Sequence, residues 1–425
     1  MSWSLERAED HLLSLELFGM NFGLERMRRL LTALGSPQRR YAAVHVVGTN
    51  GKSSTVRMTA ALLEAAGVRT GAYLSPHLVS FAERVRVADD DLAPEAFGAA
   101  VRRAAAAAEK VDRTLAGGER VTQFELLTAA ALDELARQGV DVAVVEAGLG
   151  GRWDATNVLD AGVAVLTNVG LEHTRWLGPT VPDIAREKLA VVRSDATLVL
   201  GEVDAEVEAL AHETGATIVR PAQLDVPLHG YQRTNFLLAA AAVRAHLATL
   251  EIGPARPGGL DAAQAAAVAA RVSVPGRLQT IGEDPLTILD GAHNPAGMAA
   301  LVAALPEAIG SRPLVAVVSV LDDKDAAGML RALLGHCEAV IFTASRHPRA
   351  LPPATLASLA SQLTQSASRS GTGEGPPSEL VPDPAAALER ARALAGPDGA
   401  VLATGSIYLV ADLLAESGRR KASAL

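Results

Sequence analysis

The segment Gly48-Thr49-Asn50-Gly51-Lys52-Ser53-Ser54 has the residue types of a site that binds a nucleotide triphosphate. Glycines let backbone N–H groups approach phosphates closely, and the N-terminus of a following helix adds partial positive charge. Lys52 would reach the β- and γ-phosphates, and a serine hydroxyl would face Mg²⁺. The spacing is not the commonest one, because Val46 stands six residues before the lysine, where a glycine is usual.

The residues around this segment predict the elements that would position it. Val44–Val47 is an apolar run rich in β-branched residues, which predicts a buried strand. An amphipathic helical pattern runs from Thr55 to about Ala66 and ends near Gly67. A Gly-Lys-Ser triplet also arises by chance, but the strand before it and the helix after it favour a phosphate-binding loop.

Polar residues follow two further predicted strands. Glu146 ends the apolar run Val142–Glu146. An acid at a strand end beside a phosphate loop could be a ligand of Mg²⁺. An isolated acid at a strand end is more often structural. The glycines that follow it, together with Arg152 and Asp154, favour a site. His173 follows the next strand, at the same predicted sheet edge. Three interpretations of His173 are open: a metal ligand, a phosphate contact or a structural residue.

Two other groups have both a chemical and a structural interpretation. Lys188, in the helical segment Ile184–Lys188, is by residue type most often a solvated surface lysine. Asp290-Gly291-Ala292-His293-Asn294-Pro295 ends a predicted strand and could face a cleft between domains. The alternative is a helix-initiating turn, because Asn294 followed by Pro295 is a good helix cap.

Composition excludes several classes of protein. A net charge of −9 argues against nucleic acid as the main partner, so an anionic substrate must meet local basic groups and metal ions. The single cysteine, Cys337, excludes an internal disulfide, predicts a buried structural thiol and fits a reducing compartment. The N-terminus is charged and amphipathic, and no run of about 18 uncharged apolar residues occurs. We therefore expect a cytoplasmic protein that neither spans nor binds a membrane, and a monomer.

Strand-like runs alternate with helical patterns along the 425 residues, which predicts an α/β fold with mostly parallel sheets. Ser273–Arg277 has the composition of a hinge, and Ser366–Glu379, rich in Ser, Gly and Pro, predicts a surface loop. We predict a P-loop nucleotide-binding domain over residues 1–276 and a smaller Rossmann-like α/β domain over 277–425. The clearest predicted strands are Ala42–Val47, Val140–Glu146, Gly162–Asn168, Thr197–Leu200, Leu286–Asp290, Leu314–Val320, Ala339–Thr343 and Ala400–Thr404.

Together these motifs resemble the folylpolyglutamate synthase and dihydrofolate synthase family, which belongs with the Mur peptidoglycan ligases to a group of ATP-dependent amide ligases. The resemblance covers nearly the whole chain, and its order and spacing make it specific although each motif alone is weak. It rests on Phe18–Arg26, Gly48–Ser54, Ser75–Leu78, Thr122–Glu125, Glu146–Asn157, Glu172–Thr174, Glu187-Lys188, Pro275–Arg277, Asp290–Pro295, Asp323–Asp325 and Thr404–Leu409.

The resemblance implies a role for individual residues. It implies ATP contacts from Asn50, Gly51, Lys52, Ser53, Ser54, Asn235, Arg277 and Asp290. It implies Mg²⁺ ligands at Ser75, Glu146 and His173, and a carbamate on Lys188 near the metal. It implies catalytic roles for Lys52, Lys188 and His293, the last because it lies next to the ATP contacts. It implies that Thr122, Gln123, Phe124, Glu125, Trp153, Asp154 and Ala155 hold a pterin ring.

The implied activity is the ATP-dependent addition of L-glutamate to dihydropteroate, to reduced folates, or to both. A carboxylate does not react with an amine at neutral pH until phosphoryl transfer has made it an acyl phosphate. Ser53 departs from the family loop, which has glycine there, and matches the Mur ligases instead. Three other interpretations stay open at this point: a monofunctional folylpolyglutamate synthase, a Mur-like cell-wall ligase, and a nucleotide-gated switch.

Overall fold

The computed structural model describes residues 3–16, 23–250, 260–369 and 375–415. These residues form two compact units. Unit 1 comprises the described residues up to Leu228 and those from Gln232 to Val272. Unit 2 comprises His229–Tyr231 and the described residues from Ser273 onward.

Unit 1 contains one eight-stranded sheet in the order β4-β3-β2-β5-β1-β6-β7-β8. All neighbouring pairs from β2 to β8 are parallel, and β3 and β4 add an antiparallel edge. The strands are β1 (Ala42–Val47), β2 (Thr70–Tyr73), β3 (Val85–Val87), β4 (Asp90–Asp91), β5 (Val142–Glu146), β6 (Val163–Leu166), β7 (Thr197–Leu200) and β8 (Thr217–Val219).

Helices accompany this sheet, as expected for parallel strands joined by crossovers. The first two residues of α9 group with unit 2. The helices are α1 (Leu5–Leu13), α2 (Glu25–Ala33), α3 (Lys52–Ala65), α4 (Pro94–Asp112), α5 (Gln123–Arg137), α6 (Thr174–Leu177), α7 (Val181–Leu189), α8 (Ala205–Glu213), α9 (Gly230–Thr249) and α10 (Ala262–Ala269).

Unit 2 contains a six-stranded sheet in the order β13-β12-β11-β14-β10-β9, parallel except for β9. Its strands are β9 (Gln279–Glu283), β10 (Leu286–Leu289), β11 (Leu314–Val318), β12 (Ala339–Phe342), β13 (Ser378–Leu380) and β14 (Ala400–Thr404). Its helices are α11 (Pro295–Ile309), α12 (Ala326–Leu333), α13 (Pro353–Arg369), α14 (Pro384–Ala395) and α15 (Ile407–Leu414).

The hydrophobic pattern accounts for the central strands. β1 lies between β5 and β6, with Val44 level with Val144 on one side and Val163 on the other. All three valines are fully buried, which is why these runs are apolar on both faces. The predicted α/β fold with mostly parallel sheets is confirmed.

The predicted loop Ser366–Glu379 is wrong at both of its ends. Helix α13 continues to Arg369, because the sequence has neither Gly nor Pro between Thr355 and Ser370. Ser378–Leu380 forms the edge strand β13, and residues 370–374 lie outside the described part. Within the described residues no helix is both long enough and apolar enough to cross a membrane.

Candidate functional site

The glycine-rich segment forms the turn from β1 into α3. Gly51 is the N-cap of α3 and has φ +84°, a left-handed conformation that favours glycine. A Cβ atom on Gly51 would lie 2.4 Å from Oδ1 of Asn235, so the Asn235 side chain lies directly against the loop. Asn235 is buried, and its Nδ2 donor makes no hydrogen bond within the described residues. The structure therefore places a polar donor beside the predicted phosphate loop.

The end of β6 supports the same loop. The backbone N–H of Asn50 donates to Oδ1 of Asn168 at 2.9 Å, and the hydroxyl of Thr167 donates to the Asn50 carbonyl at 2.7 Å. The backbone N–H of Thr49 donates to the Asn168 carbonyl at 3.0 Å. These hydrogen bonds hold Asn50 through its backbone N–H and carbonyl groups, and its side chain takes no part in them.

Two lysines contact this loop from within it and from α7. The Nζ of Lys52 donates to the carbonyls of Gly48 and Thr49, both at 3.1 Å. The Nζ of Lys188 donates to the Gly48 carbonyl at 2.8 Å. Burial, together with the positive charge of Lys52, lowers the pKa of Lys188 to about 7, although Glu172 and Asp154 oppose this shift. Lys188 is therefore a buried lysine of α7 that contacts the loop, and not a solvated surface residue.

Glu146 lies at the centre of the predicted metal site. It is 1% exposed and accepts hydrogen bonds from the Ser53 hydroxyl at 3.0 Å and from the Ser75 backbone N–H at 3.1 Å. Ser54 is buried on α3, and its hydroxyl makes no hydrogen bond within the described residues. Of the two adjacent serines, Ser53 is therefore the one whose hydroxyl contacts the carboxylate.

His173 is placed differently from the other predicted ligands. It precedes α6 in the left-handed conformation, with φ +51°, and its side chain is 41% exposed. Its Nε2 lies 3.8 Å from Oε1 of Glu172. No three His, Cys, Asp or Glu side chains of the described residues cluster as a metal site. The carboxylate of Glu146 and the hydroxyl of Ser53 are oxygen ligands of the kind that Mg²⁺ prefers.

A cavity in unit 1 brings together the residues predicted to hold a pterin ring. Thr122, Phe124, Glu125, Trp153, Asp154 and Ala155 line it. Gln123 does not line it, because its side chain is buried and donates to the Leu12 carbonyl at 2.7 Å. Gln123 is the first residue of α5, so its side chain leaves the helix in another direction than those of Thr122 and Phe124.

Aromatic rings form much of this cavity. The Phe124 ring packs on the backbone at Gly148, where a Cβ atom would lie 2.5 Å from Cζ. Its centroid is 6.4 Å from that of Tyr73. Trp153 and Trp176 are 50% and 54% exposed, respectively, and both line the cavity. Half-exposed tryptophans around a concave surface suit a flat aromatic ligand.

Several lining residues escaped the sequence-based prediction, namely Arg26, Trp176, Leu177 and Glu187. Arg26 donates to both oxygens of Glu125 at 3.1 and 3.2 Å and to Glu119 at 3.3 Å. Arg26 and Glu187 belong to the motifs Phe18–Arg26 and Glu187-Lys188, but the resemblance implies no role for either residue. The available signal for Trp176 was rarity, since the chain has three tryptophans in all.

Asp154 is one of two buried acids that line the cavity, the other being Glu125. Its Oδ2 accepts from the backbone N–H of Leu149 at 2.8 Å, in the turn that follows β5. Burial raises the pKa of Asp154, and hydrogen bonds from Thr156, Leu149 and Gly148 oppose that shift. The cavity lies next to the loop, because a Cβ atom on its lining residue Gly151 would lie 3.1 Å from the Cα of Lys188, whose Nζ donates to the Gly48 carbonyl.

In unit 2, Asp290 organises the end of β10. It accepts from the backbone N–H groups of Leu278 at 2.8 Å and Ala292 at 2.9 Å, and from the hydroxyl of Tyr231. Burial raises the pKa of Tyr231 well above its ordinary value, and the charge of Asp290 adds to that rise. Tyr231 was not predicted, because it lies far from Asp290 in sequence and only the fold brings it there.

Other predicted residues surround the same strand end. Arg277 donates through Nη1 to the Gly276 carbonyl at 3.2 Å. The Nδ1 of His293 lies 2.8 Å from the Gly291 carbonyl. Asn294 caps α11 by accepting from the Gly297 N–H at 2.7 Å, so the helix-initiating interpretation is correct for Asn294.

Polar residues also follow the neighbouring strands of unit 2. The Ser345 backbone N–H donates to the hydroxyl of Ser319 at 3.0 Å. The hydroxyls of Ser345 and Thr404 are buried and make no hydrogen bond within the described residues. Such donors at the carboxyl edge of a parallel sheet suit a polar ligand.

Comparison with known proteins gives the family. The Mur ligase middle domain model matches residues 46–223, and the model for the Mur ligase, glutamate ligase domain matches residues 276–407. A dihydrofolate synthase/folylpolyglutamate synthase of Mycobacterium tuberculosis is 36% identical over 377 residues, which are 79% of this chain and 76% of that protein. A probable bifunctional folylpolyglutamate synthase/dihydropteroate synthase of Haloferax volcanii is also 36% identical, over 95% of this chain; the alignment covers about half, 49%, of that longer protein.

Solved structures agree. The Mycobacterium tuberculosis folylpolyglutamate synthase complexed with ADP has a TM-score of 0.84 and 32% identity, covering 96% of this chain and 97% of that one. The Escherichia coli FolC in complex with DHPP and ADP has a TM-score of 0.82 and 30% identity, covering 97% of each chain. A bifunctional folylpolyglutamate synthase/dihydrofolate synthase with Mn, AMPPNP and L-glutamate bound has a TM-score of 0.81 and 29% identity, with the same coverage. The chain therefore belongs to the Mur ligases and, within them, to the dihydrofolate synthase/folylpolyglutamate synthase family.

Proposed function

We propose that this protein is an ATP-dependent ligase that joins L-glutamate to dihydropteroate and to reduced folates. One observation carries the proposal. The aromatic cavity lined by Phe124 and Asp154 is also lined by Gly151, where a Cβ atom would lie 3.1 Å from the Cα of Lys188. The Nζ of Lys188 in turn donates to the Gly48 carbonyl of the phosphate loop. A ring held in the cavity would thus present its carboxylate near the phosphates. The solved relatives that bind ADP, DHPP and L-glutamate support this assignment.

The reaction has two steps. The substrate carboxylate attacks the γ-phosphorus of ATP, the bond to the β-phosphate oxygen breaks, and an acyl phosphate and ADP form. The amine of L-glutamate then attacks the acyl carbon, loses a proton, and displaces inorganic phosphate to leave an amide. Lys52 and the backbone N–H groups of the Gly48–Ser54 loop would stabilise charge on the transferred phosphoryl group.

A divalent metal fits the buried carboxylate of Glu146. When bound, Mg²⁺ would neutralise phosphate charge and orient the triphosphate. Glu146 and the hydroxyl of Ser53 would hold it, with Ser75 and His173 as the further ligands implied by the resemblance. The relative that holds Mn together with AMPPNP supports a metal at the nucleotide.

Lys188 would carry a carbamate. An amine reacts with carbon dioxide in its neutral form, and the pKa of about 7 leaves a substantial neutral fraction at neutral pH. An uncharged or anionic Lys188 also removes the repulsion between two cations at one carbonyl, which costs about 1–4 kcal/mol at 4 Å for effective dielectrics between 80 and 20.

The remaining ATP contacts are those that the resemblance implies, and the glutamate would belong to unit 2. Asn235 in unit 1, and Arg277, Asp290 and His293 in unit 2, would bind the nucleotide. We assign L-glutamate to the carboxyl edge of the unit 2 sheet, where Ser345 and Thr404 have unused hydroxyls and Lys324 supplies a cation. We also propose that the domain boundary lies near Gly276, and that the chain acts as a cytoplasmic monomer without nucleic acid.

The test is product analysis by mass spectrometry. Purified protein is incubated with ATP, Mg²⁺ and L-glutamate, and with either dihydropteroate or tetrahydrofolate. We expect dihydrofolate from the first acid and an added glutamyl residue on the second. If only tetrahydrofolate is extended, the enzyme is a monofunctional folylpolyglutamate synthase. If neither reacts while a cell-wall precursor does, the folate assignment is wrong.

A further inference from the structure

A buried chain of hydrogen bonds connects His45 of β1 to Asp154, which lines the cavity. The Nε2 of His45 lies 2.8 Å from the hydroxyl oxygen of Thr156. That oxygen lies 2.5 Å from Oδ1 of Asp154, which also accepts from the Thr156 backbone N–H at 3.0 Å. His45 and Thr156 are at most 1% exposed, and neither lines the cavity.

The chemistry of the three groups fixes the direction of these bonds. Both oxygens of Asp154 accept from backbone N–H groups, of Thr156 and Leu149, as those of an ionised carboxylate do, so we assign the Thr156 hydroxyl as the donor to Asp154. The Thr156 oxygen must then accept from His45, which places a proton on the Nε2 of the imidazole. Burial lowers the pKa of His45 to about 4, so the ring is neutral and carries its one proton at this position.

We infer that His45 and Thr156 are positioning residues that hold the Asp154 carboxylate in the orientation that binds the dihydropteroate ring. This inference rests on the proposed function and deepens it. Thr156 fixes Oδ1 through two bonds, and the Leu149 N–H fixes Oδ2. These bonds set the plane of the Asp154 carboxylate before any ligand binds. A planar ring has N–H donors in fixed positions, so its binding requires an acceptor that is already oriented.

The position of His45 argues against a purely structural explanation. His45 lies in the middle of β1, between Val44 and Val46, and is level with Val145 and Ala164 on the neighbouring strands. An apolar residue would fill such a site without the cost of burying a polar ring. The imidazole instead contacts the Thr156 hydroxyl, which contacts Asp154.

The test compares deletion of each hydrogen bond with its conservative replacement. Thr156→Val removes the hydroxyl and keeps the shape, whereas Thr156→Ser keeps the donor. His45→Leu removes the Nε2 donor, whereas His45→Gln keeps an amide donor near that place. Thr70→Val is the matched control, because Thr70 is also buried but donates to the Val68 carbonyl at 2.9 Å and does not line the cavity.

We expect Thr156→Val to raise the KM for dihydropteroate roughly tenfold, the effect of one lost hydrogen bond to a charged group. The KM values for ATP and L-glutamate should stay within about twofold. Thr156→Ser should restore most of the loss, and His45→Gln should stay closer to wild type than His45→Leu. Binding of dihydropteroate in the absence of ATP can be measured by quenching of tryptophan fluorescence. The variants should show the same order of affinities in this measurement.

Two outcomes would overturn the inference. In one, wild type ligates dihydropteroate and Thr156→Val does so with an unchanged KM. In the other, Thr156→Val and Thr70→Val both raise all three KM values to the same extent, which would indicate a general loss of stability. A wild-type protein that does not use dihydropteroate at all contradicts the proposed function instead, so the two failures are distinguishable.

Discussion

The ammonium groups of Lys52 and Lys188 donate to the same atom, the carbonyl oxygen of Gly48, at 3.1 Å and 2.8 Å. Two cations at one acceptor repel each other, and the charge of Lys52 adds to burial in lowering the pKa of Lys188. The glycine-rich loop is therefore contacted by one lysine that is available to bind phosphate, Lys52, and by another that readily becomes neutral, Lys188 of α7. The two roles depend on each other, which gives the first two predictions.

Lys52→Met should reduce ligation at least a hundredfold, because it removes a charge that stabilises the transferred phosphoryl group. The same change should raise the pKa of Lys188 above about 7, because the neighbouring positive charge is gone. Ligation is measured as phosphate release that depends on both acid and glutamate. Circular dichroism should show an intact fold, and turnover near the wild-type rate would refute the assignment of the loop.

Lys188 should form a carbamate that is stable above neutral pH. With a pKa of about 7, the amine is about nine-tenths neutral at pH 8, whereas an ordinary lysine is almost fully protonated. The neutral fraction falls as the pH drops through 7, so the modification and the activity should fall together. Protein incubated with ¹³C-bicarbonate should show one carbamate carbon signal by NMR.

Lys188→Arg is the control for that signal, because arginine keeps the length and charge but stays protonated. The carbamate signal should vanish in this variant and remain in Arg186→Lys, whose side chain lies two residues away and is 54% exposed. A signal that persists in Lys188→Arg would place the modification elsewhere.

The sequence predicted those parts of the site that local pattern determines. Strand β1, the loop after it and the presence of α3 follow from an apolar run, glycines and helical periodicity. Helix α3 begins at Lys52, however, three residues before the predicted start at Thr55. The same holds for Glu146, since a polar residue that ends a buried strand must lie at the sheet edge. Short edge strands such as Asp90–Asp91 and Ser378–Leu380 were missed, because they are too short and too polar to show alternation.

Tertiary contacts determined the rest. Arg26 reaches the cavity only because α2 contacts α5, which no local pattern encodes. Tyr231 contacts Asp290 across 59 positions of sequence. Successive residues of α3 are rotated by about 100° around the helix axis. To predict whether Ser53 or Ser54 contacts Glu146, the residue at which the helix begins must therefore be known.

Phe124→Ala should raise the KM for dihydropteroate roughly tenfold, because Phe124 provides a ring face of the cavity and packs on Gly148. The KM for ATP should change little, since the ring makes no described contact with the loop. Steady-state kinetics with each substrate varied in turn measures both values.

Phe342→Leu provides the comparison for Phe124→Ala. Phe342 is fully buried in unit 2, so its loss should lower stability without a selective effect on dihydropteroate. If both variants raise the KM for dihydropteroate equally, Phe124 has no specific role in the cavity.

Tyr231→Phe should weaken ATP binding about fivefold to tenfold, because Asp290 loses a charge-assisted hydrogen bond that helps to orient it. Calorimetric titration with a non-hydrolysable ATP analogue measures this change. Tyr41→Phe is the matched control, since that hydroxyl donates to the Leu132 carbonyl at 3.1 Å in unit 1. Equal losses of affinity in the two variants would indicate a general effect on stability.

The last prediction concerns the ion pair between Arg26 and Glu125, whose side chains are 10% and 8% exposed. Arg26→Met should lower the free energy of unfolding by about 3 kcal/mol, because it leaves the Glu125 charge buried without its cation. The cost stays below the upper end of the usual range, since Thr122 still donates to Glu125 through its backbone N–H and its hydroxyl. Urea unfolding followed by tryptophan fluorescence reports on unit 1, because Trp3, Trp153 and Trp176 all lie there. The double variant Arg26→Met/Glu125→Met should regain part of the loss, and a double variant less stable than Arg26→Met would show that Glu125 stabilises the cavity without Arg26.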